Sequence, residues 1–215
     1  MYAARPVLRE RRNPFVAGEG VPFLVAALVG AWLVFRYLHP ALIALPLILF
    51  GFLWLVFRDP RRTIPAAPLG VVSPVDGRVI AVDLVDRGVV QGEAHRIFIR
   101  VDFLGTYTAR SPVEGNIRDL NTLASEKVVD YRTNALWVQT DEKDDVVLQF
   151  QGYRFGLPPA ALVRYGDRVG QGQRCAYLRL ARVAEVHLPI ASRVLVQAGQ
   201  RVTAGVDIIG RLPPG

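Results

Sequence analysis

Few side chains in this sequence have the type and spacing to move a proton or attack a carbonyl. Asp76 closes the run Ser73-Pro74-Val75-Asp76-Gly77, where an Asp-Gly pair both favours a turn and presents a carboxylate. Tyr107, in Gly105-Thr106-Tyr107-Thr108, carries a phenol whose ordinary pKa of about 10 makes it a poor general base at neutral pH. Arg182, in Leu180-Ala181-Arg182-Val183, keeps its proton at any accessible pH and has no lone pair free to attack. His95 and His187 stand singly on strand-like runs and read as histidines satisfied within a sheet. Cys175 is the only cysteine; it excludes an internal disulfide, cannot alone hold zinc, and reads as a small core residue. No metal site is expected.

The elements that carry these residues are predicted to be strands. Beyond Leu69 the pattern is one of short β-type runs separated by Gly, Pro and Asp. Arg78-Val79-Ile80-Ala81-Val82, Arg96-Ile97-Phe98-Ile99-Arg100-Val101, Ala135 to Gln139 and Val146 to Phe150 are strand candidates, and Asp141 to Asp145 is the solvated turn between the last two. A helical turn or two is expected only around Leu157 to Val163. Ser73-Pro74-Val75-Asp76-Gly77 recurs as Ser111-Pro112-Val113-Glu114-Gly115, and Gly166 to Gly172 recurs as Gly199 to Gly205. Each is a turn leading into a strand, with glycines suited to positive φ. Biotinyl and lipoyl carrier domains have similar turns, but no lysine follows Lys143 to be modified.

The first third of the chain is different. Residues 1–20 form a basic tail carrying Arg5, Arg9, Arg11 and Arg12. From Val21 to Leu38 only Arg36 is charged, and Ala41 to Phe57 has no charge. These two arms, separated by His39-Pro40, predict a membrane helical hairpin over 21–57, spanning or re-entrant, since both arms are short for a hydrocarbon layer of about 30 Å. Arginines on both flanks place both ends in the cytoplasm. Residues 58–68 are a Pro/Arg linker, and 69–215 the β domain. The formal charge of +7 favours an acidic partner, and the apolar arms make that partner a membrane rather than a nucleic acid.

Two segments resemble the phosphatidylserine decarboxylases. Gly166-Asp167-Arg168-Val169-Gly170-Gln171-Gly172-Gln173-Arg174 leads without a gap to Arg179-Leu180-Ala181-Arg182-Val183-Ala184-Glu185 and then Leu188-Pro189. Phe57-Arg58-Asp59-Pro60-Arg61-Arg62-Thr63-Ile64-Pro65 is similar to the linker of the short, archaeal-type members. The resemblance covers roughly residues 52 to 212, with Asn121 to Phe155 a poor match; there Tyr131-Arg132-Thr133-Asn134 stands where the family has an Asn-Glu-Arg-Asn type segment. It implies a mainly β domain with barrel-sandwich type turns behind an N-terminal transmembrane hairpin. It also implies a Gly-Ser pair that cleaves itself to leave a pyruvoyl cofactor, helped by an Asp and a His.

Laid on that pattern, Asp76 is the aspartate, Tyr107 takes the place of the histidine, and Ala181-Arg182 takes the place of Gly-Ser. No intact catalytic set and no pyruvoyl group are therefore expected, because Arg182 replaces the serine. The reading is a membrane-anchored, non-catalytic homologue in the inner membrane, its β domain on the cytoplasmic side, serving as a lipid-binding or accessory subunit. Arg58, Arg61, Arg62 and Arg182 are the expected lipid contacts, and a protein partner in the membrane or a second copy is expected. Arg182 is further expected to pair with Asp76. The alternative is an active phosphatidylserine decarboxylase with its cleavage site displaced to Ser192, in Ala191-Ser192-Arg193-Val194.

Overall fold

The computed structural model describes residues 15–38, 40–86, 92–103, 105–119, 135–152, 159–178 and 181–214. It divides into two compact units, Met1–Arg61 and Arg62–Gly215. The expected motif at Tyr131 to Asn134 and the arginines of the basic tail lie outside the described residues.

In the first unit, helix α1 (Val21–Tyr37) and helix α2 (Ala44–Phe57) are joined through a 3-10 turn at Pro40–Ile43. Proline sets both starts: Pro22 and Pro46 lie in the opening turns, where a missing N–H costs nothing. The helices are 17 and 14 residues long, about 26 and 21 Å at 1.5 Å per residue. Among the described residues no helix is long and apolar enough to cross a membrane. The expectation of a spanning hairpin is corrected accordingly: the second apolar arm gives up its first residues to the 3-10 turn. Ala27 and Ala31 are buried, while Phe23, Trp32, Phe35, Leu45, Ile48 and Phe52 face outward. The ends are held by Ala17 N–H to Phe57 O (2.8 Å), Asp59 N–H to Phe15 O (2.8 Å), and stacking of Phe23 on Phe57 at 5.6 Å.

The second unit is the expected mainly β domain. Its strands are β1 (Gly70–Val72), β2 (Gly77–Val85), β3 (Ala94–Val101), β4 (Thr108–Arg110), β5 (Gly115–Asp119), β6 (Ala135–Gln139) and β7 (Asp145–Gln151). They continue with β8 (Ala160–Ala161), β9 (Arg168–Val169), β10 (Arg174–Tyr177), β11 (Val183–Pro189), β12 (Arg193–Val194), β13 (Arg201–Val202) and β14 (Ile208–Arg211). The largest sheet runs β13-β2-β3-β11-β7-β6-β5-β9, with smaller sheets β1-β14-β12 and β4-β10-β8. The core lies on the face carrying Val79, Ile97, Ile99, Ala184, Val186, Leu148 and Val146, all at most 1% exposed. In place of the helical turn expected near Leu157 to Val163, the described part, from Pro159 onward, is a short strand pairing Ala161 with Ala176.

The two sequence repeats fold alike. Ser73 Oγ donates to Val75 O and Ser111 Oγ to Val113 O, both at 2.8 Å. The copies are cross-linked by Val72 N–H to Pro112 O and Arg110 N–H to Pro74 O, each 2.9 Å. Gly172 and Gly205, ending the second repeat pair, both take positive φ (69° and 70°). The large sheet is accordingly built as two similar halves, β13-β2-β3 and β9-β5-β6, meeting at β11 and β7.

Candidate functional site

Asp76 sits in the turn before β2, only 8% exposed. Its neighbour Gly105 has to be a glycine, because a Cβ there would lie 2.8 Å from Cβ of Asp76. The carboxylate accepts from every side: Arg62 Nη1 at 2.5 Å and Nη2 at 2.6 Å, Thr106 N–H at 2.9 Å, Thr106 Oγ1 at 2.8 Å and Ala204 N–H at 2.9 Å. Burial pushes this carboxyl up, but the bonds from Arg62, Thr106 and Ala204, with the guanidinium charge, outweigh it and hold the pKa at about 2. Asp76 is thus a permanently charged hub, not the simple turn former that its Asp-Gly context suggests.

Arg62 is a linker residue, and its remaining bond runs to Ala204 O at 2.7 Å. Two sequence expectations are corrected here. Asp76 is paired with Arg62 rather than Arg182, and Arg62, with its side chain only 10% exposed, is turned into the domain instead of toward lipid. The reason is reach: Ile64, two residues on, packs against Gly172, where a Cβ would meet Ile64 Cγ1 at 2.7 Å. That contact lays the linker along the domain beside Asp76.

Tyr107 is buried, and its hydroxyl donates to Phe103 O at 2.9 Å. Its carbonyl accepts from Leu178 N–H, and Leu178 O from Ala181 N–H. Ala181 is buried and Arg182 exposed. The Arg182 backbone is fixed between two strands by Arg182 N–H to Gln151 O (3.1 Å) and Val101 N–H to Arg182 O (2.8 Å). Its aliphatic stem passes over Gly152, where a Cβ would lie 3.3 Å from that of Arg182. Arg61 is exposed and Arg58 half-buried.

Cys175 is fully buried, and burial drives its thiol up to about 12, in keeping with a core role. Ser192 is buried in a turn, with Ser192 N–H bonded to Pro189 O. His95 Nε2 lies 3.1 Å from Ile190 O, a carbonyl that can only accept, so this contact has the ring donating. His187 is not a simple satisfied sheet residue. It is buried with Nε2 3.0 Å from Glu185 Oε1, and Glu185 also has Arg96 Nε at 3.4 Å and a hydrogen bond from Gln151. The i, i+2 spacing of Glu185 and His187 on a strand was the available signal, since alternate residues share a face. Among the described residues no group of His, Cys, Asp and Glu could hold a metal ion.

The family model for phosphatidylserine decarboxylase matches residues 49–210. The chain belongs to the phosphatidylserine decarboxylase family. A phosphatidylserine decarboxylase proenzyme of Nitrosomonas europaea is 33% identical over 92% of this chain and 95% of its own length. Those of Nitrosomonas eutropha and Burkholderia ambifaria are 35% and 31% identical over 92% and 93% of this chain, covering 95% and 97% of theirs. A solved glucose permease IIA from Mycoplasma capricolum superposes with a TM-score of 0.43 at 19% identity, over 66% of this chain and 94% of its own. The self-cleaving Gly-Ser pair that the sequence resemblance implies would fall on Ala181-Arg182. Covalent catalysis needs a nucleophile that can be deprotonated and a carbonyl that can accept electrons, and a guanidinium is neither.

Proposed function

We propose that this member of the phosphatidylserine decarboxylase family is a non-catalytic, membrane-associated homologue that acts as a lipid-binding or accessory subunit. The observation carrying this reading is Arg182 at the position of the self-cleaving serine, in a motif that otherwise runs without a gap from Gly166 to Pro189. Two facts support it. Tyr107 falls where the resemblance implies a histidine base, and its hydroxyl donates to Phe103 O. Asp76 already accepts five hydrogen bonds from Arg62, Thr106 and Ala204, which leaves it little with which to orient a base.

The membrane part rests on the helical pair, whose outward side chains are apolar apart from Arg36 and Tyr37 at the end of the first helix. At 17 and 14 residues the pair is short for the hydrocarbon layer and fits a hairpin that returns to the side it entered, with both flanks and the β domain on the cytoplasmic side. Exposed Arg61 and Arg182 are the lipid contacts, with half-buried Arg58 three residues before Arg61.

A denaturing gel with an intact-mass measurement tests the proposal. A single full-length chain without a pyruvoyl mass is the expected result. Cleavage near residue 182 or 192, or release of phosphatidylethanolamine from phosphatidylserine in detergent above a no-protein control, overturns it.

A further inference from the structure

The two halves of the large sheet provide an internal control for a second surface. Strand register places Arg201 opposite Arg78, and Arg78 opposite Arg100. Directly paired residues point to the same face, so these arginines form a ladder across β13, β2 and β3, and all three are exposed. Like charges directly opposite one another in a sheet are destabilising. Arg201 has Asp102 at 3.7 Å. Among the described residues no carboxylate forms an ion pair with Arg78 or Arg100.

The equivalent row in the other half is Arg168, Asn116 and Gln139, in the same register on β9, β5 and β6. There the cations are matched: Arg168 meets Glu114 at 2.9 Å and Asp141 at 2.6 Å, and Arg118 donates to Gln139 at 2.9 Å. The same backbone is therefore satisfied by Asn and Gln at positions where the first half carries arginines. The fold does not require the ladder, and it costs stability.

We infer that the Arg201-Arg78-Arg100 ladder is the surface by which the β domain lies on anionic phospholipid head groups. This rests on the membrane reading above and assigns it to residues of the domain itself. Guanidinium groups in a row match phosphate oxygens, which each can bind through two N–H groups. Ile80, 40% exposed at the bulge of β2 beside Arg78, adds an apolar contact of the kind an interface accepts. A bilayer fits this flat, open row better than a single polyanionic chain because the apolar helices already bring the protein to lipid.

The test uses the full chain with Ile80→Cys carrying a fluorophore, Cys175 being too buried to label. The protein is reconstituted into vesicles of phosphatidylcholine with or without phosphatidylglycerol, each doped with a lipid bearing a quencher on its head group. Quenching is expected in phosphatidylglycerol vesicles, weaker in phosphatidylcholine, and reversed by salt. Arg78→Gln/Arg100→Gln/Arg201→Gln should lower the extra quenching brought by phosphatidylglycerol by about threefold or more, while its melting temperature holds or rises. Equal quenching of the parent and the triple variant overturns the proposal, and so does a variant that no longer folds. If neither is quenched although both float with the vesicles, the ladder does not face lipid and the membrane reading stands. If the parent does not float, both fail. Loss of binding to an acidic polypeptide, with lipid quenching unchanged, would assign the ladder to a protein partner instead.

Discussion

Arg62 and Asp76 form a two-pronged ion pair, at 2.5 and 2.6 Å, between the linker and the turn before β2. The equivalent of Asp76 in the second repeat is Glu114, which faces solvent and pairs with the exposed Arg168. One acidic position has thus been turned to two uses. In the first half it is a buried hub that fastens the linker; in the second it is a surface contact.

Removing either partner of a buried pair leaves the other charge or its donors unsatisfied. Asp76→Asn and Arg62→Gln are each expected to destabilise the β domain by about 3 kcal/mol. The double variant should cost less than the sum of the two, because they share one interaction. Arg182→Ala, at an exposed position, should stay within about 0.5 kcal/mol. Denaturant unfolding followed by Trp137 fluorescence in lipid-free detergent measures all four. A large effect at Arg182 with silence at Arg62 would mean that Asp76 has the partner first expected from sequence.

The same pair sets an acid limit on stability. A carboxyl depressed from 3.8 to about 2 stabilises the folded state above its unfolded value, and that contribution disappears as pH falls through about 2. Its size is about 2 kcal/mol. Unfolding free energy should therefore fall between about pH 4 and pH 2 in the parent. In Asp76→Asn that part of the slope should be missing. Equal slopes in both would remove Asp76 as the titrating group.

The β class, the turn repeats and the family were legible in the sequence because they rest on local chemistry: alternating apolar residues, Ser-Pro-x-Asp-Gly turns, and glycines at positive φ such as Gly172 and Gly205. What was not legible depends on pairing at a distance. Nothing local says that Arg62 turns inward while Arg61 stays out, since the two are neighbours of the same type. The choice is made by Ile64 seating on Gly172, 108 positions later. The length of the second apolar arm misled for a different reason. Hydropathy counts Ala41 to Ile43 as helix, whereas with Pro40 they form a 3-10 turn. The arginine ladder needs register, which spacing alone does not supply.

Cys175 gives a simple check on the packing of the domain. With its thiol buried and driven up to about 12, it should resist a maleimide at pH 8 in the folded protein and react once denaturant is added. Prompt labelling of the native chain would mean that β10 is open to solvent.

Building in the residues that the resemblance implies is the most direct test of the alignment on which the functional reading stands. The variant Ala181→Gly/Arg182→Ser/Tyr107→His puts a hydroxyl, its flanking glycine and a base into positions whose backbones are already linked, through Leu178 N–H to Tyr107 O and Ala181 N–H to Leu178 O. The exposed Arg182 side chain is replaced by a smaller one, and Gly152 beneath it loses only the contact with the arginine stem. Folding should survive, and the chain is expected to cut itself into residues 1–181 and 182–215, visible as two bands and as two masses. Arg182→Ser alone should remain whole, since without the histidine the hydroxyl has no base of suitable pKa. If the triple variant folds but stays intact, the hold of Arg62 on Asp76 becomes the next suspect: a carboxylate already accepting five hydrogen bonds has little left with which to orient an imidazole. Adding Arg62→Gln to the triple variant would then separate an occupied aspartate from a misplaced serine.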